Sequence, residues 1–240
     1  MTTPTETTSI HVTRGAHGPV VRTRSGVVQA RLLPVSGEAA TVVLVAQGAL
    51  LLGGDHVRIE VVVGAGCRLV LREVAATVAY DGRGEASSYD AEVTVADDGA
   101  LDWRAEPLIV ADGADVSRTL TVQLQPSSTL RLRETVVLGR HGERGGSART
   151  RLRVRLAGDP VLVEDLDLTA TSGDLDPTPL RALPGIAAGA RVVDQVLAFG
   201  HPEPAETPGL AVLRLADGGW SARWVGPRTH SSPLREHLVT

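Results

Sequence analysis

Two glycine-rich runs and one pair of carboxylates are where this 240-residue chain could do chemistry. The first run is Leu51-Leu-Gly-Gly-Asp-His56. Gly53 and Gly54 end an apolar segment, where they permit positive φ and close backbone approach, and Asp55 can cap the turn. The second run is Leu138-Gly-Arg-His-Gly-Glu-Arg-Gly-Gly146, in which Gly139, Gly142, Gly145 and Gly146 surround Arg140 and Glu143. An ordinary turn does not need four glycines, and each costs backbone entropy. A flexible hairpin is the plain alternative for both runs. Asp165 and Asp167, two apart on an expected strand, share a face and could act together on a proton or cation. A solvated strand face accounts for them equally simply.

Other chemistries are excluded by what is missing. Seven histidines are present, and none stands two or four residues from another, the spacing that sets two imidazoles on one face for zinc. Cys67 is the single cysteine, so no internal disulfide and no thiolate zinc site can form, and it reads as a small buried hydrophobe. All 24 basic residues are Arg; without Lys there is no Walker phosphate loop, Schiff-base lysine or Ser-x-x-Lys site. Neither a Gly-x-Ser-x-Gly elbow nor a Gly-x-Gly-x-x-Gly fingerprint occurs. With 28 acidic side chains the net charge is −4, which argues against nucleic acid as partner. The N-terminus lacks a basic segment followed by an apolar one, and the most apolar stretch, 42–52, is too short to span a membrane. A cytoplasmic protein without a membrane partner is expected.

The elements that must position these residues are strands. Apolar segments alternate with period two and are rich in Val, Leu and Thr, with 32 valines but only six aromatics. In 148–156, Arg149, Arg151, Arg153 and Arg155 share one face, read as solvated or, more sharply, as a partner-binding stripe. A repeat underlies the alternation: 57–63 leads through a Gly-Ala-Gly turn into 69–73, 89–95 into 101–104, 116–124 into 130–134, and 149–156 into 162–165. Anchor leucines fall at 69, 101, 130 and 162. A period near 30 with one strand–turn–strand unit per repeat predicts stacked β-layers, a β-helix-like single domain of mainly β class with few short helices. Four unrelated hairpins in a sandwich would show the same alternation. Ser232-Pro233 predicts a short helix over 234–238, and Thr178-Pro179 a helical turn through Leu183. The expected organisation is a disordered stretch 1–8, a scaffold domain 9–199, a Pro-rich loop 200–209, and a C-terminal hairpin with short helix, 210–240, packing on the same domain.

At the glycine runs the chain resembles the urease accessory protein D family, also called accessory protein H. The shared motifs come in order: Leu52-Gly-Gly-Asp55, the Gly64-Ala-Gly66 turn, Ala75-Ala-Thr-Val-Ala-Tyr80, Leu101-Asp-Trp103 through Ile109, and Gly139-Arg-His-Gly-Glu143. Order and spacing agree over about residues 25–170. Arg72, Glu73, Val78 and Arg104-Ala-Glu106 depart from the family pattern, and the chain after about 170 matches loosely. The resemblance implies a β-helix-like scaffold, not an enzyme. It implies binding to accessory protein F, through F to the GTPase accessory protein G, and docking on the urease apoprotein to deliver nickel. No tightly bound cofactor is implied; nickel would pass transiently along a polar interior. Asp55, Glu106 and Glu143 fall on motif positions for that passage, strand geometry adds Glu134, and Tyr80 stands behind them. For each, a turn cap or a salt bridge is the bland alternative. The competing functional readings are a structural adaptor without metal transit and a polymer-binding module, which would need an aromatic or acidic groove.

Overall fold

The computed structural model describes residues 7–34, 38–170 and 180–238. The chain opens with β1 (Thr8–Gly15), β2 (Gly18–Arg24), β3 (Val28–Leu32) and β4 (Ala39–Ala46), which form two antiparallel pairs. Three coils follow. The first is β5 (His56–Val63), β6 (Arg68–Glu73) and the short β7 (Thr77–Ala79). The second is β8 (Ser87–Val95), β9 (Ala100–Arg104) and β10 (Leu108–Val110). The third is β11 (Asp115–Leu124) and β12 (Thr129–Leu138). A hairpin, β13 (Ser147–Leu156) and β14 (Asp159–Asp167), comes next, then β15 (Val192–Phe199), β16 (Leu210–Arg214) and β17 (Trp220–Gly226).

Successive coils stack in parallel, as in a β-solenoid. The seven-stranded sheet runs β14-β13-β11-β8-β5-β1-β2. The ten-stranded sheet runs β16-β17-β15-β12-β9-β6-β4-β3, with β10 and β7 branching from β12. The anchor leucines lie side by side: Leu69 is in register with Leu101, and Leu101 with Leu130. Their side chains are buried with Leu71, Trp103 and Leu132 between the sheets. Valine and isoleucine from the facing sheet, Val57, Ile59, Val61 and Val63 on β5 among them, complete one continuous core. Branched, compact side chains suit the narrow space between two sheets about 10 Å apart.

The fourth sequence repeat is not a coil. Strands β13 and β14 pair antiparallel within the seven-stranded sheet, so Leu162 sits opposite Val154 instead of joining the leucine row. The cause is the turn. Four residues link β5 to β6, β8 to β9 and β11 to β12, enough to cross between sheets; only Ala157 and Gly158 link β13 to β14. Both have positive φ, the primed two-residue turn that folds a strand back on its neighbour. The place next to β12 is taken by β15, antiparallel.

Of the other expectations, Pro233–Leu238 is a 3₁₀ helix whose start is fixed by the Leu234 amide donating to the Ser232 hydroxyl. A 3₁₀ turn spans Leu180–Ala182; Thr178 and Pro179 lie outside the described residues. So do residues 1–6, whereas Thr8 is a buried first residue of β1, its hydroxyl donating to the Val28 carbonyl. The expected C-terminal hairpin is β16 and β17.

Candidate functional site

Charged side chains enter the space between the two sheets along one pair of register rows. Strand alternation turns Leu69, Leu71 and then Glu73 inward on β6, Leu130, Leu132 and then Glu134 on β12, and Val116, Arg118 and Leu120 on β11. Pairing then lines these positions up. On the ten-stranded sheet Glu73 neighbours Leu44, and Glu134 continues through Gln195 to Arg223. On the seven-stranded sheet the row is Val57, Tyr89, Arg118 and Thr150. The two rows meet across the core. Arg118 Nε lies 2.9 Å from Glu134 Oε1, and its guanidinium carbon stands 5.0 Å from the centre of the Tyr89 ring. Further along, Arg223 pairs with Glu164 and donates to Gln195 Oε1 at 2.8 Å, while Gln195 Nε2 donates to Ser221 Oγ at 3.0 Å.

The charges of this row do not balance one to one. Arg118 is the cation nearest to two carboxylates and is matched to Glu134. Glu73 accepts from Trp103 Nε1–H at 3.3 Å and from the Glu106 amide at 3.0 Å. Burial pushes the Glu73 carboxyl up to about 7, against the pull of Arg118 and those two donors. Burial also raises Glu134, opposed by Arg118, and raises the Tyr89 phenol, with the Glu73 charge adding to it. Burial disfavours the Arg118 cation, but Glu134, Tyr89 and Glu73 more than offset this and hold it protonated. A cavity of about 40 Å³ reaches Glu73 and Tyr89 between Leu44, Ile59 and the 74–77 segment, room for a water molecule.

This predicts a pH dependence of stability with a definite sign. Glu73 has an ordinary value of 4.5 and a folded value near 7. The folded state therefore holds its proton while the unfolded chain has lost it, so the stabilisation is complete below the lower value and is lost as pH rises through the upper. Between about pH 5 and about pH 8, Glu73→Gln should remove a decline on the order of 3 kcal/mol. Urea unfolding of both proteins across that range measures it; parallel curves would mean that Glu73 does not titrate there.

The residues expected from sequence occupy three places. Asp55, Tyr80 and Glu143 lie on one edge, where the turns preceding β5, β8, β11 and β13 stack. Asp55 Oδ2 accepts the Leu52 amide at 2.9 Å, and the Tyr80 amide donates to Leu51 O at 3.1 Å. Gly53 abuts the next turn so closely that a Cβ there would stand 2.7 Å from Gly82 O; Gly54 has φ +81°. Glu143 accepts the Arg140 amide at 2.9 Å, Arg140 Nε–H at 2.8 Å and the Asp112 amide at 3.3 Å. The Arg140 side-chain and amide bonds pull its carboxyl down to about 2. Arg140 and Glu143 thus fold the loop between Gly139 and Gly142 onto its neighbour. Glu106 is exposed beside Glu73, which its amide caps. Glu134 alone of the five stands in the interior row. The structure does not gather the five into one centre, and among the described residues no cluster of three or more His, Cys, Asp or Glu could hold a metal ion. Asp165 and Asp167 belong to an exposed ion-pair ladder with Arg151, Arg153 and Arg149. Glu73, Tyr89 and Arg118 were missed; the available signal was a charged or phenolic residue in the apolar phase of a strand.

The chain matches the family model described as UreD urease accessory protein over residues 9–238, which takes in the C-terminal hairpin as well as 25–170. A Streptomyces griseus protein named urease accessory protein UreD 1 is 46% identical over 173 residues, covering 72% of this chain and 65% of that protein, just under two thirds of its length. A Frankia alni protein named urease accessory protein UreD is 36% identical over 253 residues, covering 88% of this chain and 84% of the relative. A Saccharopolyspora erythraea protein named urease accessory protein UreD 2 is 33% identical over 92% of this chain and 79% of the relative. The chain belongs to the UreD urease accessory protein family.

Proposed function

We propose that the chain serves urease maturation as a non-catalytic cytoplasmic scaffold that assembles with accessory protein F and, through it, the GTPase accessory protein G. In this reading it docks on the urease apoprotein and helps deliver nickel. The observation that supports it best is the row of charged side chains between the two sheets. Nickel, the cargo, takes oxygen and nitrogen donors. Glu73 and Glu134 offer carboxylates, and Arg118 between them keeps the net charge low, so a divalent ion would be held weakly and released. The relatives are named accessory proteins, in keeping with a role that is not catalytic. No helix among the described residues is long and apolar enough to cross a membrane.

Two other readings compare poorly or need their own test. A polymer-binding groove would need exposed aromatics, but Trp103, Trp220, Trp224, Tyr89 and Phe199 are buried. A bare adaptor is favoured by one observation, that Asp55 and Glu143 are committed to turn caps. The decisive experiment deletes the gene and restores it as wild type or as Glu73→Gln/Glu134→Gln, then measures nickel in purified urease. Deletion should leave urease nickel-poor and inactive; normal urease without the gene would sink the proposal. The double variant should bind its partners and load nickel at least ~10-fold more slowly. Normal loading by that variant would leave the adaptor as the function.

A further inference from the structure

The outer face of the ten-stranded sheet carries a charge imbalance that the interior row does not explain. Alternation turns Arg31 on β3, Arg68 and Arg72 on β6, Arg104 on β9, and Arg131 and Arg133 on β12 away from the core. Register puts four of them in one line: Arg31 opposite Val43, Val43 opposite Arg72, Arg72 opposite Arg104, and Arg104 opposite Arg133. On these strands the outward carboxylate is Asp102, gripped by both Arg104 and Arg131, with Nη2 distances of 2.9 and 2.7 Å. The Arg131 and Arg104 bonds hold the Asp102 carboxyl below its usual range although burial opposes them. Arg133 is matched by Asp194 on β15. Among the outward-facing described residues of these strands and β15, six guanidinium groups stand against two carboxylates, on a chain whose net charge is −4.

Between the arginines lie partly exposed valines, Val43 and Val45 on β4 and Val70 on β6, where Val70 is opposite Thr41 and Val43 opposite Arg72. Parallel strands are ordinarily covered on both faces. Here the cover is partial. Trp220, Trp224 and Leu234 form a second small core over β15 and β17, and Leu234, from the C-terminal 3₁₀ helix, is fully buried in it. That core ends at β12, and among the described residues no second core covers the outer faces of β4, β6 and β9.

We infer that the outer face of β4, β6 and β9 is a docking surface for an acidic protein. The partner would place carboxylates against Arg31, Arg68 and Arg72 and one or two apolar side chains on the valines. An apolar centre with a charged rim is the usual anatomy of a protein interface. Nucleic acid fits less well, because no aromatic side chain stands on this face to stack a base and the centre is hydrocarbon. The inference rests on the scaffold reading, and it assigns that reading a face.

The test uses the full chain and three purified proteins of the same organism, the urease apoprotein and accessory proteins F and G, each immobilised in turn. Wild type should bind at least one of them, with affinity falling about 10-fold or more as salt rises from about 0.05 to about 0.3 M. Arg31→Glu/Arg68→Glu/Arg72→Glu should weaken that binding by roughly 100-fold while the melting temperature stays within a few degrees. The matched reversal on the opposite sheet, Arg22→Glu/Arg58→Glu/Arg155→Glu, should change it less than about 3-fold. Equal binding by the first triple variant, or loss only with the second, overturns the face assignment and leaves the scaffold reading standing. Failure of wild type to bind any of the three overturns both. Tighter binding to duplex DNA than to any of the proteins, abolished by the first variant, overturns it in favour of a nucleic-acid surface. If the triple variant does not fold, Arg72→Glu alone should cost about 5-fold, and no change with that variant overturns the proposal.

Discussion

Replacing Arg118 by methionine should destabilise the protein by about 3–5 kcal/mol, one of the two largest single-residue effects expected here. Arg118 is 7% exposed, and its guanidinium lies 2.9 Å from Glu134 and over the Tyr89 ring. Its removal strands Glu134 in the core with no nearby positive charge on the facing sheet. Glu134 would then take up a proton, and the pH at which the variant is most stable should move down. Removing both partners is different in kind. Arg118→Met/Glu134→Leu exchanges a buried pair for hydrocarbon of similar volume and should recover most of the loss, to within about 1 kcal/mol of wild type. Urea unfolding of the wild type and three variants closes the cycle. A single Arg118→Met variant costing under about 1 kcal/mol would mean that water reaches Glu134 and the row is not a core feature.

The second large effect belongs to a glycine. Gly146→Ala should cost about 3 kcal/mol or more, because the new methyl group would stand 2.1 Å from Ala114 O and 2.7 Å from Ala111 O. Ala114 O already accepts the Ser147 amide at 2.7 Å, and the Gly146 amide donates to Ala111 O at 2.8 Å. Relief therefore means parting β13 from β11 where their pairing begins. Gly142, in the same loop, has nothing within 4 Å of an added Cβ and needs only its φ of +83°. Gly142→Ala should cost about 1 kcal/mol, the ordinary strain of that conformation. Thermal unfolding of the pair separates close packing from backbone conformation; equal losses would contradict the tight fit of the third coil against the loop.

These two cases mark what could be read from the residues alone. The excess of glycine at 139–146 does signal a loop pressed against neighbours, but which glycine is closed and which is open depends on the turn stacked beneath. The coil repeat was readable because every layer repeats the same leucine and the same four-residue crossing. It misled at Leu162, where alternation is unchanged and only the turn length differs. For the site, alternation does single out Glu134 on β12, and the same count applied to β6 and β11 would have found Glu73 and Arg118. Asp55 and Glu143 drew attention through their glycines, and those glycines position them as caps. That Arg118 faces Glu134 across the core is not in any local pattern, since the two residues lie on opposite sheets and meet only once the crossing between β11 and β12 is made.

The antiparallel strands at both ends of the stack have a consequence for dimension. Strands β2 and β3 pair antiparallel at one end, and β14 and β15 do so at the other, so the parallel stacking stops at both ends. From Glu73 on β6 to Arg223 on β17 the polar row crosses four strand spacings, about 19 Å at roughly 4.8 Å each. Coil number is thus the gauge of the row. A chain with one coil inserted would lengthen it by one spacing and carry an extra inward-facing position, empty of charge or filled with it, between the same two ends.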